Sequence, residues 1–79
     1  MVVSALVVML DPEPARRVSA LAELASDSRL VLGAVVGDRL PVVAEADSAG
    51  GGVALCDRIS TVDGVVRVDV VTIDFEDHA

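Results

Sequence analysis

Apolar positions come in four dense, valine-rich runs, Val2–Leu10, Leu30–Val36, Leu40–Glu45 and Val65–Ile73. Between the first and second runs, and between the third and fourth, the pattern loosens to helical spacing. Val2–Leu10 is rich in β-branched residues and too short for a favoured isolated helix, so it reads as a buried strand. Asp11-Pro12-Glu13-Pro14 then opens a helix, with Asp11 as cap, Pro12 at the first helical position and Glu13 near the positive helix end. Val18, Leu21, Ala22 and Ala25 form its expected buried face, with Arg16, Arg17 and Glu23 outside it. Ser26-Asp27-Ser28 ends it.

The second and third runs flank Gly37-Asp38-Arg39, a hairpin signature with a glycine available for positive φ. Pro41 lacks a ladder donor and belongs at the start of its strand, beside the turn. Asp47 or Ser48 can cap a second helix whose expected buried face is Val53, Cys56, Ile59 and Val62. Gly50-Gly51-Gly52 occupies its first turn, where each glycine costs roughly 1 kcal/mol against alanine. Asp63-Gly64 makes the last turn. Asp74, Glu76 and Asp77 fall in an acidic tail over residues 74–79.

The order β-α-β-β-α-β, closed by two right-handed split crossovers, specifies an α+β, ferredoxin-like fold: a four-stranded antiparallel sheet with both helices on one face. Residues 1–79 then form a single domain, and the other sheet face is left uncovered. The period of two assigns residues to it. Within the first strand, Ser4, Leu6, Val8 and Leu10 are the bulkier set and belong to the core, exposing Ala5, Val7 and Met9. Glu45 must point outward, and takes Val43 and Pro41 with it. In the last strand Arg67 and Asp69 cannot face the helices, so Val66, Val68 and Val70 should; Val71 and Ile73 would join the charged pair outside. The open face is therefore apolar with charges at its margin, the composition of an interaction surface.

Charge and chemistry narrow the function. The 79 residues carry thirteen carboxylates against six arginines, a formal charge of −7, which argues against nucleic acid and anionic membrane. It would attract a cationic partner, although on charge alone the simpler reading is that acidity keeps a valine-rich chain soluble. The core is built of Val, Ala and Leu with one phenylalanine, so stability should be modest. A single cysteine makes no internal disulfide. Without a basic first segment or a span of ~20 apolar residues, the chain reads as cytoplasmic. The loop after the first strand has no Cys-x-x-Cys pair for a metal. Gly50–Gly52 is followed by Val53, Ala54 and Leu55 instead of the lysine of a phosphate loop. Cys56 lies among apolar residues with no nearby base, and the only histidine, His78, sits in the tail. No catalytic, metal or cofactor set emerges: the chain reads as a non-enzyme that offers a surface.

Ser4-Ala5-Leu6-Val7-Val8, Leu40-Pro41-Val42-Val43-Ala44-Glu45-Ala46-Asp47-Ser48, and Val62-Asp63-Gly64-Val65 with Val68 and Val70-Val71 together resemble the NapD proteins, over nearly the whole chain. These are cytoplasmic chaperones for the catalytic subunit of periplasmic nitrate reductase. The resemblance implies binding of the twin-arginine signal peptide of the nitrate reductase precursor, as a helix against the sheet, delaying export until cofactor insertion is complete; the chaperone itself carries no cofactor. The docking face it implies comprises Ala5, Val7, Met9, Val43 and Val71, with Glu45 or Asp69 for the arginines. Two features depart from the pattern: Gly50–Gly52 weakens the start of the second helix, and Arg67 brings a like charge to the proposed face. The alternatives are a small-molecule-sensing regulatory module, which would need a glycine in the Asp11–Pro14 loop, and a weak structural homodimer through paired open sheets.

Overall fold

The computed structural model describes residues 1–75 and contains β1 (Val2–Leu10), α1 (Pro14–Ala25), β2 (Leu30–Leu32), β3 (Arg39–Ala46), α2 (Ala49–Ser60) and β4 (Val65–Phe75). The strands form one antiparallel sheet in the order β2-β3-β1-β4, the ferredoxin-like arrangement expected from the sequence. One sheet face and the helices enclose the core: Leu6, Val8 and Leu10 of β1, Leu40, Val42 and Ala44 of β3, Leu24 of α1, and Leu55 and Ile59 of α2. In β1 the side chains alternate strictly between buried and half-buried, with the Leu6 set inside as expected. His78 and the tail beyond Phe75 lie outside the described residues.

Helix α1 starts two residues later than the sequence implies. Glu13, not Asp11, is its cap: the carboxylate accepts from the amides of Ala15 and Arg16, and Pro14 takes the first helical position. Asp11 instead accepts from the amide of Glu13 and steadies the loop. The buried stripe is Ala20 and Leu24 flanked by Leu21, while Val18, Ala22 and Ala25 face solvent. Arg17 is not an outward residue either. It reaches the hairpin, donating to the Gly37 carbonyl and pairing with Asp38.

That hairpin is irregular beyond Leu32, so the strand is shorter than the Leu30–Val36 run. Gly33 still donates to Pro41, and Val36 and Arg39 exchange both backbone bonds around Gly37-Asp38, with Gly37 at φ 62°. Since the Pro41 carbonyl points toward β2, the donor that proline lacks would also have pointed there, and pairing with β1 loses nothing.

In α2 the buried positions are Gly52, Leu55 and Ile59, continued by Val62; Cys56 is partly buried and Val53 is exposed. Ser48 caps the helix by accepting from the Gly51 amide, 3.0 Å away. Beyond its chain neighbours and its own helix backbone, nothing lies within 4 Å of the position a Cβ would take at Gly50. Gly50→Ala should therefore raise stability by about 0.5–1 kcal/mol, read as a higher urea midpoint at unchanged slope; a lower midpoint would show that this turn is not helical in solution.

The last strand differs most from its sequence reading. Its pairing with β1 is interrupted by two register shifts, which leave Val66 and Val71 without opposite numbers. Val65 and Val68 pack on the core, and Val66 is exposed. After Val71 the alternation restarts out of phase. Thr72 lies opposite Ala5 on the open face, and Ile73 lies opposite Ser4 on the helix side. Asp74 and Phe75 continue the strand rather than beginning the tail.

Candidate functional site

The candidate surface is built from the strand positions that the core rejects. Because paired residues in an antiparallel sheet share a face, the register sorts the open side into rows. Val3 lies between Glu45 and the Asp74 position; Ala5 lies between Val43 and Thr72, with Val31 beyond Val43. Val7 lies between Pro41 and Asp69, and Met9 between Arg39 and Arg67. No helix of the described residues covers this side. Val31 and Val43 are exposed, and the β1 residues are only half-buried, shielded by neighbouring side chains. From Val3 to Met9 the face is about 20 Å long and across the four strands about 14 Å wide, or roughly 300 Å².

Of the residues the sequence assigns to this surface, Ala5, Val7, Met9, Val43, Glu45 and Asp69 occupy it together. Val71 sits in the register shift rather than in a row, and Ile73 turns to the helix side opposite Ser4. The alternation rule fails there because each shift inserts one residue into β4. Val3, Val31 and Thr72 are additional members. Val31 was recoverable from the sequence: with Leu30 and Leu32 inward, the residue between them must point out.

The charges are segregated. Arg67 donates to Asp69 at 3.0 Å, so the like charge that Arg67 brings to this face is answered in part on the same strand. Arg39 stands across Met9 from it, while Glu45 is at the opposite end. Beside Glu45 lies an open recess of about 440 Å³ lined by Ser28, Arg29, Asp47 and Ser48 among others. Its guanidinium is already engaged: Arg29 makes two side-chain bonds to Asp27, at 2.8 and 3.0 Å.

The Arg29 guanidinium, with the Arg29 amide, holds the Asp27 carboxyl at about 2, below its ordinary 3.8. A carboxyl depressed on folding contributes stability at neutral pH that is present above about pH 4 and lost as pH falls through 2. A carboxyl-detected NMR titration should give Asp27 a midpoint near 2, and Asp27→Asn should flatten the acid loss of stability; a midpoint near 4 would mean the pair is not formed.

Other chemistry is sparse. Burial raises the Cys56 thiol above its usual range, reinforced by nearby Asp57, so it stays protonated and unreactive at neutral pH. It lines a second crevice, about 370 Å³, between α2 and β4 with Val53, Val70 and Ile73. No cluster of metal-ligating side chains occurs among the described residues, and none of their helices is long and apolar enough to cross a membrane.

No protein-family model matches the chain, and no curated protein matches it significantly. Among solved structures it is similar to the solution structure of the E. coli Tat proofreading chaperone NapD, with a TM-score of 0.76 at 22% sequence identity, over 98% of this chain and 81% of that one. The chain has the fold of NapD, a ferredoxin-like sheet backed by two helices.

Proposed function

We propose that this protein is a chaperone of the NapD type, a non-enzyme that binds the twin-arginine signal peptide of a periplasmic nitrate reductase catalytic subunit and delays its export until the cofactors are in place. The observation that carries this reading is the uncovered sheet face, apolar along Ala5, Val7, Met9 and Val43, on a chain that matches NapD over nearly its whole length. A signal peptide supplies a cationic start followed by an apolar stretch. The net charge of −7 attracts the first and the face can bury the second. Ala5, Val7, Met9 and Val43 make the apolar contacts, and the chaperone works in the cytoplasm, before export.

The sensing-module alternative has less support. In the β1–α1 loop Asp11 is engaged by the Glu13 amide and Arg16, and Glu13 is used as the helix cap, so few polar groups remain for a small ligand.

Calorimetric titration with a synthetic twin-arginine leader of a nitrate reductase, alongside an unrelated twin-arginine leader, tests the proposal. Selective 1:1 binding is expected. Equal affinity for both leaders, or no heat at high micromolar concentration, would overturn it, and a homodimer through the open faces would then be sought by sedimentation.

A further inference from the structure

We infer that the open face is a polarised cradle that fixes the direction of a bound helix: its N-terminal, cationic end lies at Glu45 and its C-terminal end at Arg39, so that the helix runs in the same sense as β1. This rests on the docking reading above and adds a direction to it.

The argument begins with the rows of the sheet. The middle two, through Ala5 and Val7, are apolar except for Thr72 and for Asp69, which is paired with Arg67. The two ends are not alike. At the Val3 end stand Glu45 and, in the adjoining recess, Asp47, while Arg29 there is held by Asp27. Neither Glu45 nor Asp47 makes an ion pair among the described residues. At the Met9 end stand Arg39, likewise without such a pair, and Arg67, half-answered by Asp69. Acidic and basic ends are separated by the length of the face, about 20 Å.

A helix brings its own polarity, positive at the N-terminus and negative at the C-terminus. Arginines that precede the apolar stretch add to the positive end. Both terms favour the same orientation, and the reverse would place two arginines beside Arg39 and Arg67 and the negative helix end beside Glu45. Length agrees as well. At 1.5 Å per residue, 20 Å accommodates about 13 residues of helix, within the 7–15 residues of a signal peptide's apolar segment. The recess beside Glu45 lies beyond the apolar rows, where the side chains of the cationic segment would emerge. Orientation is thus set by Glu45 and Arg39 at the margins, while the central residues supply contact area that is indifferent to direction.

The test uses the full chain, isotopically labelled, with a synthetic twin-arginine leader carrying a nitroxide amino acid at either end of its apolar segment. With the label at the N-terminal end, loss of the amide signals of Val3, Glu45 and Ala46 is expected, with those of Met9, Arg39 and Arg67 retained. The C-terminal label should give the converse. Glu45→Arg should weaken binding about tenfold, and the double reversal Glu45→Arg, Arg39→Glu should invert the signal-loss pattern. Binding with the opposite pattern, or with equal loss at both ends, would overturn the orientation and leave the docking face standing. Absence of binding by the unaltered chain would remove the docking reading and the orientation with it.

Discussion

Gly64→Ala is expected to cost about 2–5 kcal/mol, a large share of the stability of so short a chain. Gly64 sits at φ 95°, where an L side chain is strained whatever its surroundings; that alone costs roughly 1–2 kcal/mol. The surroundings are also closed. A Cβ would stand 2.4 Å from the Arg16 carbonyl oxygen and 3.0 Å from the Ala20 Cβ, both on α1, so the helix would have to move outward. Overpacking of this kind adds about 1–3 kcal/mol. A domain of this length has a total stability of about 4–12 kcal/mol, and only the lower end of that range could not absorb the loss. The Gly64 carbonyl also accepts from the Asp11 amide, so a shift there would disturb the entry to α1 as well. Urea denaturation followed by circular dichroism reads the change directly. A midpoint within experimental error of the parent would mean that α1 does not pack against this turn as described.

Val7→Glu should act on the other side of the sheet and in the other currency. Val7 is at the centre of the open face, between Pro41 and Asp69, and contributes nothing to the core. A carboxylate there is solvated in the free protein, so unfolding stability should change by about 1 kcal/mol or less, the main term being repulsion from Asp69 directly opposite. Beneath a docked apolar helix the same carboxylate loses its water and gains no partner. The cost of an unpaired charge in an interface centre is about 3 kcal/mol or more, so affinity for the twin-arginine leader should fall at least about 100-fold. Titration calorimetry on a variant whose melting is nearly unchanged isolates this effect. Retained affinity would move the binding site off the face.

Much of this architecture is legible from residue order because polar markers fix strand phase. Glu45 settles which residues of β3 turn inward and the bulk of Leu6 and Leu10 settles β1, even though that choice buries Ser4, and both strands follow a strict period of two. β4 offers markers only at Arg67 and Asp69; its valines are interchangeable by hydropathy, and nothing in them announces that Val66 and Val71 will be skipped. The regular row position expected of Val71 and the outward placement of Ile73 fail for that reason. The error in α1 has a different origin. Asp11 and Glu13 are both competent caps, each followed by proline, and choosing between them depends on how the loop meets Gly64, a tertiary contact. The buried stripe is a separate miss: Val18 outranks Ala20 in hydropathy, yet packing against the sheet turns Ala20 inward with Leu24 and leaves Val18 exposed.

The two interruptions in β4 carry a consequence for how any partner can arrive. β4 is a sheet edge eleven residues long and rich in valine, the kind of border that invites a foreign strand and, repeated, fibrillar association. Only Arg67–Val70 lies between the shifts with unbroken register, too short to template a lasting intermolecular ladder, and the local twist at each bulge turns the flanking residues out of line. The shifts thereby break the ladder that this edge would offer to an added strand, which favours a partner that satisfies its own backbone hydrogen bonds before it arrives.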